Sequence, residues 1–354
     1  MVIEMNSRTN HPYGLCRNIL LAVSLIVPLG CTTDEPADPN APPVGVTDTP
    51  ELTKVDLALN WLPEAEHGGY YAALVHGYFE AAGFDVKIIP GGPGVPVREN
   101  VATKRIMFGI SNADQILVGR AQEANIVGVF APLQASPRCI MVHEASGITK
   151  FEDLKNLTLA INENSTFGAI LKKQVSLEGC RIVPYPGNVT QFLLEADFAQ
   201  QGYVFSEPFL AEAEGGDPHN LMASDIGFNP YTSVLIVHAD TISESPELVA
   251  SFTQAVAQGW KKYLADPAET NRYINAQNPE MSLEILAFGA KELQHLCQPA
   301  SDNAPIGDMT VERWQQMADK LLGCGKLEAD SVKASEAFTR QFLDEPVPGS
   351  GNPS

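Results

Sequence analysis

Apolar and polar positions change period again and again along this chain, and the changes divide it into strands and helices. Residues 55–60, VDLALN, are a short apolar run of strand length. Residues 67–82 then carry Tyr71, Leu74, Val75, Tyr78 and Phe79 at helical spacing, and Gly83 stops that helix. A second β-prone run, FDVKII at 84–89, completes a strand–helix–strand unit, which implies a parallel sheet and a right-handed crossover. The turn that follows, Pro90-Gly91-Gly92-Pro93-Gly94, lets backbone approach a ligand closely. A helix over 95–102, a strand over 107–110, a helix through 121 capped by Ser111 or Asn112, and a strand over 126–131 continue the alternation.

Residues 138–143, RCIMVH, read as a strand leaving this first lobe. A second βα series follows: a strand near 157–161, a helix near 167–178, RIVPY, a helix near 188–196, and GYVFS, ending at about Ile226. The continuous apolar run 233–239, SVLIVHA, returns the chain to the first lobe. From Ser245-Pro246 onward the chain reads as helical, with Leu248, Phe252, Val256 and Trp260 on one face and three or four further helices ending near Leu343. The expected organisation is lobe one over 52–142 and 233–345, lobe two over 143–232, and a frayed tail over 346–354. Each lobe is a doubly wound α/β sheet flanked by helices, and two chain crossings between lobes are what a hinged clamshell requires.

Composition narrows the function. A length of 354 residues suits two lobes, and 44% hydrophobic with 19% charged residues is the balance of a globular chain. The net charge of -20 argues against a nucleic-acid partner. Residues 17–31, RNILLAVSLIVPLGC, follow a signal-peptide plan whose apolar run is too short to span a bilayer. The acid- and Pro-rich stretch 32–51 reads as a disordered tether. No Cys/His set at metal spacing occurs, so no metal site is expected. Cys297 and Cys324 are a candidate disulfide, with buried free thiols as the alternative.

The pattern LNW-x-P-x-x-x-H-x-G-x-Y-x-A-L at residues 59–74, with the following GYFE, G-x-D-V and PGGP, resembles the substrate-binding proteins of ABC importers. The branch is the one that carries thiamine-pyrimidine precursors, nitrate, sulfonates, taurine and riboflavin-like heterocycles. The resemblance covers about residues 52 to 300 and implies a two-lobed periplasmic-binding-protein clamshell of type II with extra C-terminal helices. It also implies a small-molecule ligand and an ABC permease as partners. Leu29-Gly30-Cys31 resembles a bacterial lipoprotein signal, which implies lipidation of Cys31, a membrane anchor and an exported location; Pro28 departs from that pattern.

Ligands of open parallel sheets bind beyond the carboxyl ends of strands, near helix N-termini. Asn60 and Trp61 end the first strand, where Trp61 either stacks on a planar ring or packs beneath the loop. His67 starts the first helix, while Asn112 and Asp114 follow the third strand, where capping is the plainer reading. Ser165 and Thr166 precede a helix in lobe two, and Tyr231 is a weaker stacking candidate. Family members of this branch often present an acidic residue at the position of Glu207 to an amino-substituted ligand; helix capping is the alternative. A carboxylate there would repel nitrate or sulfonate and favour a heterocycle with N–H donors.

The same superfamily includes thiamine pyrimidine synthase, an enzyme that holds pyridoxal phosphate on a Lys, consumes a nearby His and binds iron through a Cys-rich run. Those positions fall here on Ser111, Gln115 and the Cys-free run 225–233, DIGFNPYTS. Serine forms no Schiff base. A binder without cofactor is therefore expected, and the synthase is the alternative.

Overall fold

The computed structural model describes residues 51–299, 301 and 303–343. The signal segment with Cys31, nearly all of the tether and the tail beyond 343 lie outside the described residues.

The alternation of strand and helix produces two five-stranded sheets. The first contains β1 (Thr53–Ala58), β2 (Phe84–Ile89), β3 (Phe108–Ser111), β4 (Ile126–Phe130) and β10 (Val234–His238), in the order β2-β1-β3-β10-β4. The second contains β5 (Arg138–His143), β6 (Thr158–Ala160), β7 (Arg181–Val183), β8 (Phe198–Tyr203) and β9 (Pro218–Met222), in the order β7-β6-β8-β5-β9. The βαβ neighbours pair in parallel, whereas β10 is antiparallel to β3 and β4, and β5 is antiparallel to β8 and β9. Each sheet thus receives one antiparallel strand delivered by a crossing segment. The two crossings run side by side: Leu133 and Thr232 form an antiparallel bridge, and the Ser136 N–H donates to Asn229 Oδ1 at 2.8 Å.

The return strand β10 joins the first sheet, and the helix Pro246–Ala265 packs in the same core as β1, β2 and β3. The later helix Val311–Gly323 instead buries Trp314 and Leu321 in a core shared with residues of the second sheet. In the helix Pro246–Ala265, Phe252, Val256 and Trp260 are fully buried, and Leu248 is only partly so. Phe252 stacks on Phe108 with ring centroids 4.0 Å apart and on Phe79 at 4.8 Å. This helix crosses the helix Gly68–Val75 very closely, because a Cβ added at Gly259 would lie 2.2 Å from the Gly69 carbonyl oxygen. Burying this aromatic face fixes the segment that precedes Gly68, where the site begins.

Several expectations are corrected. Arg138–His143 belongs to the second sheet, so the first crossing falls between β4 and β5, ahead of the expected boundary at 142/143. Strand β9 was not anticipated, because PHNLM is a half-exposed edge strand with no apolar run. The strand expected at 202–206 lies earlier, at Phe198–Tyr203, where two glutamines hide it from an apolar reading. The helix expected over 67–82 is two, Gly68–Val75 and Tyr78–Ala81, divided by Gly77 at φ 71. The last α-helix is Val311–Gly323, after which the chain continues without α-helix among the described residues, and Phe338 bridges to Gly128 in β4. Cys139, Cys180, Cys297 and Cys324 are free thiols. Cys297 and Cys324 pack against different hydrophobic cores, which is why nearness to helix ends did not bring them together.

Candidate functional site

Strand β1 ends at Ala58, and after the bends of residues 60–64 the chain turns through the short 3-10 segment Ala65–His67 into the helix Gly68–Val75. The Asn278 amide holds the turn from outside by donating to the Pro63 carbonyl at 2.9 Å. Glu64, Glu66 and His67 are all buried there. Asn60 Nδ2 donates to Glu66 Oε1 at 3.2 Å, and His67 Nε2 lies 2.9 Å from Asn60 Oδ1 and 3.1 Å from Glu66 Oε1. Both neighbours of Nε2 are acceptors, so Nε2 carries the proton that donates to them. The other carboxylate oxygen of Glu66 accepts from Ser233 Oγ at 3.3 Å.

Ser233 is the residue by which the chain re-enters lobe one, and it is fully buried with a positive φ of 55°. Its N–H donates to Asn112 Oδ1 at 3.0 Å, and its carbonyl accepts from the Tyr70 hydroxyl at 2.6 Å. Such a conformation costs an L-residue about 1–2 kcal/mol, so these bonds hold a local strain at the crossing. Asn112 also donates through Nδ2 to the Tyr203 hydroxyl of lobe two at 3.4 Å.

Lobe two supplies Arg138, Thr166, Tyr185, Tyr203 and Glu207. Arg138 Nη2 donates to the Tyr203 hydroxyl at 3.1 Å, and its guanidinium lies 4.3 Å from the Tyr203 ring centroid. Burial opposes its charge, but Tyr203, Glu207 and Asp114 outweigh that and hold the guanidinium above its ordinary range. Glu207 opens the helix Glu207–Ala213, and its carboxylate accepts from the Tyr185 hydroxyl and from the Tyr203 N–H at 2.8 Å. Across the lobes the Thr166 hydroxyl donates to the Asp114 carboxylate, while Gln115 Nε2 lies 3.1 Å from Asp114 Oδ2 and 3.2 Å from Thr166 Oγ1. Glu64 is pushed well above the usual carboxylate range, first by burial and then by the charges of Glu66 and Glu207.

Of the residues singled out in the sequence, Asn60, His67, Asn112, Asp114, Thr166 and Glu207 belong to this hydrogen-bonded set. Trp61 is half-buried beside it and accepts from the Gly91 N–H at 2.9 Å. Gly91 is obligatory there, since a Cβ would lie 2.2 Å from the Leu59 carbonyl; Gly92 is buried next to it. Ser165 caps the helix Thr166–Gln174, its Oγ accepting from the Gly168 N–H at 3.0 Å, so capping accounts for it. Tyr231 stands apart: it is 2% exposed, covered by the Arg313 guanidinium at 3.9 Å, and its hydroxyl accepts from the Thr310 N–H. It is a core residue beneath the last helix rather than a stacking face of the cleft.

Sequence reasoning missed Glu64, Glu66, Arg138, Tyr185 and Tyr203. Glu64 and Glu66 lie within the quoted motif at positions treated as variable, and two acids in an otherwise apolar turn before a helix were the available signal.

Residues 64–270 match the family model described as NMT1/THI5 like. The chain belongs to the NMT1/THI5-like family. It is 23% identical over 333 residues to the formylaminopyrimidine-binding protein of Halalkalibacterium halodurans, covering 91% of this chain and 97% of that one. With the riboflavin-binding protein RibY of Chloroflexus aurantiacus it shares 24% identity, over 92% of this chain and 96% of the other. The 4-amino-5-hydroxymethyl-2-methylpyrimidine phosphate synthase THI13 of Saccharomyces cerevisiae is 23% identical over 66% of this chain and 73% of its own. Among solved structures, the periplasmic aliphatic sulphonate-binding protein SsuA of Escherichia coli superposes with a TM-score of 0.64 at 14% identity, covering 86% of this chain and 99% of that one. The chain thus has the periplasmic-binding-protein fold, as expected from the residues and the resemblance.

Pyridoxal phosphate chemistry does not fit these residues. The buried Ser111 of β3 stands at the position expected for a Schiff-base lysine, and the Gln115 amide is engaged by Asp114 and Thr166.

Proposed function

We propose that the protein is the solute-binding component of an ABC importer, and that it captures a small polar heterocycle of the aminopyrimidine or flavin type for delivery to a membrane permease. The observation that carries this is coverage. The two binding-protein relatives align over more than nine-tenths of both chains, while the synthase aligns over 66% of this one. The polar residues gathered between the lobes support the same reading, since contacts from both sides let a ligand shift the population toward the closed form. The signal-type segment ending at Cys31 and the tether after it fit an exported, lipid-anchored receptor. The protein is not an enzyme on this reading, because the groups that would hold and consume a cofactor are replaced at Ser111, Gln115 and residues 225–233.

A thermal-shift screen of aminopyrimidines, riboflavin, nitrate, taurine and an alkanesulfonate tests it. A ligand at 100 times its dissociation constant adds about 2.7 kcal/mol of stability. The expected result is stabilisation by a heterocycle and none by the anions. Stabilisation by an alkanesulfonate alone would reverse the assignment of ligand class. A pyridoxal adduct on a lysine, with turnover, would reverse the assignment as a binder.

A further inference from the structure

Four carboxyl groups lie together where the lobes meet, and three of them are occupied by the protein's own donors. Glu66 accepts from Asn60 and Ser233 and lies against His67. Glu207 accepts from Tyr185 and from the Tyr203 N–H. Asp114 accepts through Oδ2 from Gln115 and Thr166, although its buried Oδ1 has no partner. Glu64 differs from these: it is 6% exposed, and among the described residues no side-chain or backbone donor is placed on its carboxylate.

The cation at hand does not neutralise it. Arg138 places Nη2 on the Tyr203 hydroxyl, leaves its buried Nε without a partner and makes no ion pair among the described residues. Four carboxyl groups against one guanidinium leave this cluster acidic, and Glu64, nearly buried and without a protein donor, keeps its charge at a cost unless it gains a proton, water or a counter-ion.

Resting on the receptor reading above, we propose that Glu64 determines specificity, accepting from a protonated nitrogen on the bound solute, so that the preferred ligand class is a cationic amino-heterocycle rather than an uncharged ring or an anion. Glu207 is then a positioning residue that orients Tyr185. The groups that act on Glu64 are Glu66 on its own turn, Glu207 at a helix start and Arg138 on β5; Tyr185 in turn feels the charge of Glu64. Burial and the two neighbouring carboxylates favour its protonated form in the free protein, and a ligand cation favours the ionised form. Binding of the cation therefore releases a proton and tightens as pH rises through that titration.

The test uses three probes on the full chain: 4-amino-5-aminomethyl-2-methylpyrimidine, its uncharged 5-hydroxymethyl analogue, and ethanesulfonate. Calorimetry in two buffers of different ionisation enthalpy reads the protons exchanged. The parent is expected to prefer the aminomethyl probe over the hydroxymethyl one by about tenfold or more, as a charge-assisted hydrogen bond requires, with proton release. Glu64→Gln should abolish both the preference and the release while the hydroxymethyl affinity stays within a few-fold. Glu64→Asp, which keeps the charge, should retain part of each and guards against a folding defect. Preference and release that persist in Glu64→Gln, or that vanish in Glu207→Gln instead, would overturn the assignment to Glu64 and leave the receptor reading intact. If the parent is stabilised by none of the three probes nor by riboflavin, the heterocycle reading falls and this inference falls with it.

Discussion

Replacing Asn112 with alanine tests what holds the crossing between the lobes. The side chain satisfies the Ser233 N–H at 3.0 Å and reaches the Tyr203 hydroxyl at 3.4 Å. Alanine leaves the Ser233 N–H buried without an acceptor, at a cost of about 1–3 kcal/mol. The longer contact to Tyr203 adds little, because Tyr203 keeps Arg138 as a donor. The expected loss is about 2 kcal/mol, which with an m-value of about 3 kcal/mol/M in urea moves the midpoint down by roughly 0.7 M.

Two further variants separate the causes. Asn112→Asp keeps the acceptor for Ser233 but adds a further carboxylate beside Glu66 and Asp114, so it should be no more stable than alanine at neutral pH and should gain on it as pH falls. Ser233→Gly in the alanine background relieves the Cβ penalty at a φ of 55° but deletes the Ser233 Oγ bond to Glu66, so it should recover less than about 1 kcal/mol. An Asn112→Ala midpoint within about 0.2 M of the parent would refute the reasoning, because the Ser233 N–H would then not depend on Asn112.

Gly259→Ala forces a Cβ to within 2.2 Å of the Gly69 carbonyl and should cost at least about 1–3 kcal/mol, read as a lowered melting temperature; an unchanged melting curve would show that the two helices separate freely. Glu64→Gln should alter the pH profile of stability. Its carboxyl is raised in the folded state above the ordinary value of 4.5, so its contribution is fully present below that value and is lost as pH rises toward the folded titration. The glutamine variant should therefore decline less than the parent above about pH 4.5, and parallel thermal profiles would contradict this. Cys31→Ser should abolish palmitate labelling and membrane partitioning in the producing cell; a parent that takes up no label would dispose of the lipid anchor.

Much of the fold was legible because VLIVH is an unbroken apolar run buried on both faces, while FDVKII alternates buried Phe84 and Val86 with exposed Asp85 and Lys87, and both contrast with the helical period elsewhere. Strand β9 escaped because an edge strand exposes one side and PHNLM shows no alternation. Strand β8 was displaced because Gln200 and Gln201 are buried polar residues in mid-strand, which a hydropathy reading treats as loop. At the site, residues next to strand ends were legible: Asn60, His67, Asn112 and Glu207 all lie where a strand meets a helix. Glu64 and Arg138 were not, because their significance lies in what the fold withholds from them. An absent partner is a property of three-dimensional surroundings and leaves no mark in spacing.

The same imbalance bears on how closure would depend on ligand. Direct bonds already join the lobes at Thr166 to Asp114 and at Asn112 to Tyr203, so a closed arrangement needs no ligand to find hydrogen-bond partners. What it lacks is charge balance. Bringing Glu207 of lobe two toward Glu64 and Glu66 of lobe one removes carboxyl groups from water, which favours the protonated form of Glu64, and Arg138 offsets only part of that cost. A solute supplying the missing positive charge stabilises the closed form selectively, because in an open cleft the same carboxylates are hydrated and gain little from it. On the proposal that Glu64 accepts from a ligand cation, closure and selectivity are then one effect: an uncharged ring of the same shape fills the space but leaves Glu64 protonated and gains no charged bond, and an anion adds repulsion from the remaining carboxylates.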